Sequence, residues 1–337
     1  MSVDWTTPGV EEVAPGVHRI PLPMPTDGLR AVNVYAVLGS KSNTLIDGGW
    51  KIAPAVAALD AALATLDLVA ADFSECLVTH HHRDHYTLAV ELRRRVGLRV
   101  SLGEGELDNI EMAYAERPVA FQSQLQSLRD AGAEPVLALM ARAKHEGVDR
   151  HDYEPPDTWL ADDDRLELSG RTLRVVATPG HTSGHVVFVD EAADLMFSGD
   201  HVLPHITPSV GFQAVPAVSP LADYLSSLAR VVTEPDRVML PAHGPAGGSI
   251  HARATELITH HEVRLTDTEA ALSGGGATAY EVAGQLRWTR RGHRLADLDA
   301  FNQMLAVMET VAHLDVLIAQ GRARRSEPPA TPWVYAR

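Results

Sequence analysis

Short apolar runs separated by turn residues dominate the first hundred positions. The runs at residues 17–22, 32–38 and 43–46 are bounded by Pro, Gly, Asp and Lys, which predicts a meander of three strands. Residues 53–66 are rich in Ala with helical spacing of apolar positions and predict a helix. Two more strands are predicted at 76–79 and 98–102, with a helix at 87–96 between them.

The pattern changes to long helical periodicity between residues 104 and 151, with predicted helices at 105–116, 120–131 and 135–146. We interpret this stretch, about residues 104–160, as an insertion laid over the core. Two interpretations of this insertion are equally supported: a helical layer that adds stability, and a lid or wall of the substrate site. Alternation then resumes, and the remaining predicted strands are 165–168, 172–177, 186–189, 195–198 and 237–240, with helices at 221–232 and 250–272.

Three glycines in the segment Ser273-Gly274-Gly275-Gly276 predict a domain boundary, because glycine extends a helix poorly. The predicted domains are therefore 1–272, holding the catalytic site and the insertion, and 277–337. The second contains predicted helices at 278–286 and 297–320 and short strands near 322–325 and 333–335. Two helices followed by a small hairpin predict a winged-helix-like unit.

The amino-acid composition argues against several classes of protein. A chain of 337 residues with 45% hydrophobic residues can bury a large core, and its net charge of -15 argues against a broad nucleic-acid-binding surface. Cys76 is the only cysteine, which excludes an internal disulfide or a cysteine-rich zinc site. The start of the chain lacks the pattern of a signal peptide, and no apolar run is long enough to span a membrane. A soluble cytoplasmic protein is expected.

The most informative segment is His80-His81-His82-Arg83-Asp84-His85, directly after the apolar run 76–78. Side chains two apart in an extended segment point the same way, so His80 and His82 can aim at one point. Asp84 and His85, at the turn into a helix, can aim at a neighbouring point. Imidazole and carboxylate groups are the ligands that zinc, iron and manganese accept.

Four more acidic or imidazole residues follow apolar strands: Asp47, His181, Asp200 and His243. Loops at strand ends commonly carry functional groups. Adding the last three to the first cluster gives seven candidate ligands, which divide between two metal positions. The first set is His80, His82 and His181; the second is Asp84, His85 and His243; Asp200 would bridge them.

These motifs resemble those of the metallo-β-lactamase-fold hydrolases, especially the dinuclear branch that includes glyoxalase II-type thioesterases. The matching pieces run in order over about residues 17–260: Ile-Asp47-Gly-Gly, His80-x-His82-x-Asp84-His85, Pro-Gly-His181-Thr, Ser-Gly-Asp200-His and Pro-Ala-His243-Gly. The resemblance implies an α+β fold, a four-layer αββα sandwich. The segment after Gly276 resembles the winged-helix appendage of a subgroup of these proteins.

Other residues near the motifs receive subsidiary predictions. Asp47 and His185 are expected to hydrogen-bond ligands rather than bind metal. His205, in the loop after Asp200, is a candidate for substrate contact. Tyr86 is another, because many family members carry a glycine two residues after the ligand His85, and here Tyr86-Thr87 takes that place and is expected to alter the pocket wall. The His260-His261 pair in a polar helix is expected to be solvated.

The resemblance implies a dinuclear metallo-hydrolase in which hydroxide between two divalent ions attacks the substrate, with Asp84 assigned a catalytic role as well as a ligand role. Zinc is favoured, and iron and manganese stay open. The predicted reaction is hydrolysis of an acyl thioester or ester of a small-molecule substrate, like that of a hydroxyacylglutathione hydrolase. The two cations allow an anionic substrate.

The alternatives are a phosphodiesterase or endoribonuclease of the same fold, a lactonase, and a non-catalytic nucleic-acid-binding module. The last would need a basic recognition helix, yet residues 297–320 contain four acidic residues and no Lys or Arg. Neither a nucleic-acid partner nor membrane association is therefore expected. The sequence does not indicate the substrate, the metal or the oligomeric state.

Overall fold

The computed structural model of the chain describes residues 4–24, 28–115, 121–143, 149–289, 291–326 and 331–337. Its strands are β1 Glu11–Ala14, β2 Val17–Met24, β3 Arg30–Val37, β4 Asn43–Ile46, β5 Phe73–Val78, β6 Arg99–Gly103, β7 Thr158–Leu160, β8 Arg165–Leu168, β9 Arg171–Ala177, β10 Val186–Asp190, β11 Leu195–Gly199, β12 Val238–Pro241, β13 Arg324–Arg325 and β14 Tyr335–Ala336. Its α-helices are α1 Ala53–Ala64, α2 Arg83–Val96, α3 Leu107–Tyr114, α4 Gln122–Asp130, α5 Glu134–Met140, α6 Pro220–Thr233, α7 Ile250–Ala271, α8 Ala279–Gln285 and α9 Ala300–Ala319. The predicted helix ends at 116, 120 and 146 lie outside the described residues.

Two sheets carry most of the strands. The first has seven strands in the order β1 to β7, antiparallel from β1 to β4 and parallel from β4 to β7. The second has five strands in the order β12-β11-β10-β9-β8, with β11 and β12 parallel and the other pairs antiparallel. Because β9, β11 and β12 run in the same direction, their carboxyl ends lie on the same side of the second sheet. The parallel strands β4 and β5 likewise have neighbouring carboxyl ends in the first sheet.

The two sheets pack face to face through a shared apolar layer. This layer joins residues of both sheets, and the rings of Tyr35 on β3 and Phe197 on β11 meet edge to face with centroids 5.4 Å apart. The other face of the first sheet is covered by α1 and α2, and that of the second by α6 and α7. The predicted αββα sandwich is thereby confirmed.

One large apolar cluster joins the second sheet to the helices of the insertion and of the C-terminal segment. It includes Leu128 of α4, Val136 of α5, Leu257 of α7 and Met304 and Leu314 of α9, each at most 1% exposed. The C-terminal segment thus packs on the outer face of the sandwich, where α9 contacts α4, α5, α6 and α7. It contains α8, α9 and a two-stranded sheet of β13 and β14. A winged-helix identity for it stays a prediction.

The described helices bear on whether the chain could cross a membrane. Within the described ranges, none of them combines the length and the apolar character that crossing a bilayer requires.

Candidate metal centre

The loops that follow the strand ends bring the seven candidate ligands into one buried cluster. The turn between β5 and α2 supplies His80 and His82, and the first turn of α2 supplies Asp84 and His85. The loops after β9, β11 and β12 supply the other three. Three groups of ligand atoms within 4.8 Å of one another can hold a metal: His80, His82 and His181; Asp84, His85 and His243; and His80, His85 and Asp200. The first two groups are the two sets predicted from the sequence.

The first group is three imidazole nitrogens that face one another. His181 Nε2 lies 3.2 Å from His80 Nε2 and 3.1 Å from His82 Nδ1. Three lone pairs this close repel unless a cation or a proton lies among them. The arrangement therefore fits a single cation held by imidazole ligands.

The second group adds carboxylates. Asp84 Oδ2 lies 3.4 Å from His243 Nε2 and 3.6 Å from His85 Nε2. Asp200 Oδ1 lies 3.4 Å from His243 Nε2 and 3.7 Å from His85 Nε2. Its second oxygen, Oδ2, lies 3.5 Å from His181 Nε2 in the first group. Asp200 therefore faces both groups, which is the placement that the predicted bridging role requires.

Each histidine of the cluster uses its other ring nitrogen outside the cluster. The donor–acceptor pairs are His80 Nδ1 to Thr79 Oγ1 (3.0 Å), His82 Nε2 to Phe212 O (2.6 Å), His85 Nδ1 to Asp47 Oδ2 (2.9 Å), His181 Nδ1 to Ser209 O (2.6 Å) and His243 Nδ1 to Ala31 O (2.8 Å). Carbonyl and carboxylate oxygens only accept, so the nitrogens that face them carry the hydrogen. The inward nitrogens accordingly present lone pairs, as metal ligation requires.

Three inward atoms of the cluster are buried with no hydrogen-bond partner among the described residues: His85 Nε2, His243 Nε2 and Asp200 Oδ1. Burying polar atoms unpaired is costly, and native structures avoid it unless a ligand supplies the missing interaction. The donor set of imidazoles and carboxylates suits zinc, iron or manganese. The unpaired buried atoms and the types of donor group both fit divalent metal ions.

The electrostatics differ between the two groups. Burial lowers the pKa of His82 to about 4 and holds the pKa values of His80 and His181 well below the ordinary range, with neighbouring histidines adding to the effect. These imidazoles are neutral at pH 7, the form that binds a metal. Burial also opposes the charged form of His85, but the carboxylates around it outweigh burial and raise its pKa to about 10 when no cation is bound, so a metal ion would bind there by displacing a proton.

Asp47 supports the cluster from the end of β4. Its carboxylate accepts from His85 Nδ1 (2.9 Å), from the Thr79 backbone N–H (2.8 Å) and from Thr79 Oγ1 (3.0 Å). Thr79 Oγ1 in turn accepts from His80. One acid therefore orients a histidine in each of the two groups. The sequence placed Asp47 near a ligand, but the relay through Thr79 was not foreseen.

Glu106 is a supporting residue that the sequence reasoning missed. It is fully buried, and its Oε2 accepts from His81 Nδ1 (2.7 Å), while its Oε1 accepts from the Thr182 hydroxyl (2.5 Å). His81 lies between two candidate ligands, and Thr182 follows His181. Thus the insertion is tied to two ligand loops at once. No sequence signal marks Glu106, because it lies among acidic residues in the segment Glu104-Gly-Glu-Leu.

His185 and Tyr224 contact the loop of the predicted bridging ligand. His185 Nε2 accepts from the Asp200 backbone N–H at 3.1 Å, and Thr178 Oγ1 lies 2.8 Å from His185 Nδ1. The Tyr224 hydroxyl of α6 donates to the carbonyl of His201 at 2.9 Å. His185 is therefore placed to position Asp200 rather than to ligate.

Two of the remaining predictions do not agree with the structure. Tyr86 is fully buried and its hydroxyl donates to the carbonyl of Glu154 at 2.6 Å, so the packed ring is not available for substrate contact. His261, expected to be solvated, is 1% exposed and its Nδ1 lies 3.1 Å from His313 Nε2, because α9 covers this face of α7. His205 is exposed in the loop after Asp200, and its substrate contact stays a prediction.

Comparison with known proteins places the chain in a family. A family model, the metallo-beta-lactamase superfamily, matches residues 27–243. The probable metallo-hydrolase YqjP of Bacillus subtilis is 26% identical over 317 residues, covering 90% of this chain and 91% of that protein. An atrochrysone carboxyl ACP thioesterase of Cryptosporiopsis sp. is 27% identical over 159 residues, 44% of this chain and 47% of that protein.

A solved structure agrees over nearly the whole length. The crystal structure of a metallo-beta-lactamase family protein from Thermus thermophilus superposes with a TM-score of 0.79 at 32% identity, covering 97% of this chain and 100% of that one. The agreement includes the C-terminal segment beyond the family model. The chain belongs to the metallo-beta-lactamase superfamily of hydrolases.

Proposed function

We propose that the protein is a dinuclear metal-dependent hydrolase that cleaves an acyl thioester or ester of a small molecule. The observation that carries the proposal is the set of inward lone pairs at the centre of the cluster. They are supplied by five histidines whose N–H groups all point outward. Of the inward atoms, His85 Nε2, His243 Nε2 and Asp200 Oδ1 have no hydrogen-bond partner among the described residues, and the whole set calls for cations.

His80, His82 and His181 would bind one ion, and Asp84, His85 and His243 would bind the other. Asp200 would lie between the two ions. Two divalent ions there would supply an activated water and stabilise negative charge on the substrate oxygen. Zinc is the favoured metal, because five of the seven side chains are imidazoles, with iron or manganese as alternatives. Cations in the cluster would also allow an anionic substrate, although the chain is acidic overall.

The chain itself orients these groups and keeps Asp84 in the ionised form that a cation would bind. Burial favours the neutral form of Asp84, but His85 and His243 outweigh it and hold its pKa well below the usual range. Its carboxylate is therefore ionised at neutral pH. The Asp84 side chain is 12% exposed and that of Asp200 9%, so both carboxylates are largely enclosed, and either can accept a hydrogen bond from water that reaches the cluster.

The choice of an acyl substrate rests on two supports. The sequence motifs resemble those of the glyoxalase II-type branch, and one relative is named as a thioesterase of an acyl carrier protein substrate. A phosphodiester substrate has weaker support, because the net charge of -15 disfavours a polyanion.

The test combines metal analysis of the purified protein with a substrate panel of S-acylglutathione, acyl-CoA, a lactone and bis-p-nitrophenyl phosphate. We expect about two metal equivalents and thioester or ester turnover that His82→Ala reduces at least ~100-fold. The matched control is His260→Ala, at an exposed histidine of α7, which should keep full turnover. Turnover of the phosphodiester alone, or none with a fully loaded protein, would refute the proposal.

A further inference from the structure

Three phenylalanines from distant parts of the chain meet in one aromatic cluster. Phe121 precedes α4 in the insertion, Phe212 lies in the loop after Asp200, and Phe301 lies in the first turn of α9. The ring centroids are 6.1 Å apart for Phe121 and Phe212, 6.2 Å for Phe121 and Phe301, and 5.4 Å for Phe212 and Phe301. These separations are typical of interacting aromatic pairs.

The aromatic cluster lies beside the candidate metal centre. The ring of Phe212 is 5.8 Å from that of His82, and the carbonyl of Phe212 accepts from His82 Nε2 at 2.6 Å. Among the candidate histidine ligands His82 is half-buried and the others are buried. The least buried of these histidines is therefore the one that the aromatic cluster contacts, and Phe301 is itself 38% exposed.

An apolar cavity of 470 Å³, which is about half open to solvent, adjoins this cluster at Phe121. Phe121 lines it together with Leu125 and Arg129 of α4 and Leu137, Ala138, Met140 and Ala141 at α5. This volume lies within the range of roughly 300–1,000 Å³ that is usual for small-molecule sites. Among the described residues of the lining, Arg129 alone is charged, so the cavity suits an apolar group.

The backbone of Phe121 supports a functional reading of this cluster. Its φ is 60°, a left-handed conformation that a bulky residue seldom adopts. Strained backbone of this kind concentrates at ligand-binding sites, where the surroundings hold it in place. Phe121 links the aromatic cluster to the cavity, because its ring contacts Phe212 and Phe301 and the residue also lines the cavity.

We propose that the three phenylalanines and the adjoining cavity bind the apolar acyl group of the substrate, and that the substrate is an ester or thioester of a medium-chain or arylalkyl acid. This inference rests on the proposed hydrolase function and adds the class of acyl group. It assigns the insertion and the first turn of α9 to substrate selection. A short or hydroxylated acyl group would leave the apolar wall uncovered and would be a poorer substrate.

The test is a series of p-nitrophenyl and coenzyme A esters with acetyl, butyryl, octanoyl and phenylacetyl groups. Each buried methylene contributes about a factor of 4 in binding. We therefore expect kcat/KM for the octanoyl ester to exceed that for the acetyl ester by about 10-fold or more. A binding readout is titration calorimetry of the metal-free protein, in which octanoate should bind and acetate should not.

Two variants probe the wall and the cavity separately. Phe301→Ala removes one ring, and Ala138→Trp fills the cavity from an exposed position of its rim. Each should lower the ratio of octanoyl to acetyl kcat/KM by about 5- to 10-fold and weaken octanoate binding. The matched control is Val263→Ala, an exposed apolar residue on α7, which should keep the ratio.

The two hypotheses fail in different ways. If esters are cleaved with equal kcat/KM for acetyl and octanoyl groups, or if both variants keep the parent ratio, the acyl-binding inference is wrong while the hydrolase proposal stands. If no ester or thioester is cleaved, the proposed function is wrong. In that case absence of octanoate binding would overturn the apolar site as well.

Discussion

The carboxylate of Glu106 lies 2.7 Å from Nδ1 of His81, the residue between two candidate metal ligands. Both side chains are buried, and the second carboxylate oxygen accepts from Thr182, next to a third ligand. An acid contributed by the insertion therefore fixes the backbone of two loops that must converge on the same ion. Residues of this kind affect metal binding without touching the metal.

Replacing Glu106 by Gln should weaken metal binding. The amide keeps the shape of the side chain, but it no longer offers two acceptor oxygens to His81 and Thr182. We expect the affinity for Zn²⁺ to fall roughly 10- to 100-fold, measured by competition with a chromophoric chelator. The circular dichroism spectrum of the variant should stay unchanged.

The matched control for this substitution is Glu104→Gln, two residues away and exposed. Its metal affinity should equal that of the parent protein. Equal affinity in Glu106→Gln would show that the contact with His81 only stabilises the insertion.

Asp47 offers a second test of metal positioning. Its φ is 60°, so Asn is the appropriate replacement, because Asn tolerates the left-handed region better than Ala does. Asp47→Asn removes the negative charge that accepts from His85 and Thr79. We expect weaker binding at the site that contains His85, seen as a drop in bound metal after dialysis against a dilute chelator. Full retention of two equivalents would contradict this role.

Much of the sandwich could be predicted from the sequence, because its strands are apolar runs with clear turn residues. The edge strands β1 and β7 were missed: β1 is largely exposed, and β7 has only three residues. The predicted helix at 53–66 ends at Ala64, since Asp67 adopts a left-handed conformation (φ 56°) just beyond it.

The convergence of the candidate ligands could be predicted for a different reason. Histidine and aspartate recur at the ends of apolar strands, and that pattern is local in sequence. Supporting contacts are not local: Glu106 reaches His81 across 25 positions, and Phe212 reaches His82 across 130. The burial of His261 depends on α9, which no pattern within α7 reveals. Tertiary packing decides such contacts, so they could not be predicted from the sequence.

The buried pair His261 and His313 predicts an acid-sensitive stability. Burial lowers the pKa of His261 to about 2 and that of His313 to about 4, so both stay neutral in the fold. An unfolded histidine titrates near pH ~6.5, and the unfolded chain therefore binds more protons below that pH. The stability that depends on these two neutral histidines is therefore fully present above pH ~6.5. The free energy of unfolding falls as the pH is lowered toward ~4.

His261→Gln should reduce this pH dependence. Between pH ~7 and ~4.5 one such histidine accounts for a loss of about 2 kcal/mol in the free energy of unfolding. Urea titrations of the metal-free protein at several pH values would measure the slope. His205→Gln, at an exposed position, should leave the slope as in the parent, and an unchanged slope in His261→Gln would argue against a buried neutral pair.

Asp315 on α9 gives the opposite dependence on pH. Burial raises its pKa to about 6, against the opposing attraction of Arg325, whose Nη1 lies 3.8 Å from the carboxylate. Because the folded state holds the proton more tightly than the unfolded chain, this group destabilises the fold above pH ~6 and ceases to do so as the pH falls toward ~4.

Asp315→Asn should therefore raise the free energy of unfolding at pH ~7.5 by up to about 2 kcal/mol, and the gain should shrink at pH ~4.5. Urea titrations at the two pH values, with the exposed Asp267→Asn on α7 as control, would measure it. An equal gain at both pH values would mean that packing, rather than the buried charge, limits stability at this position.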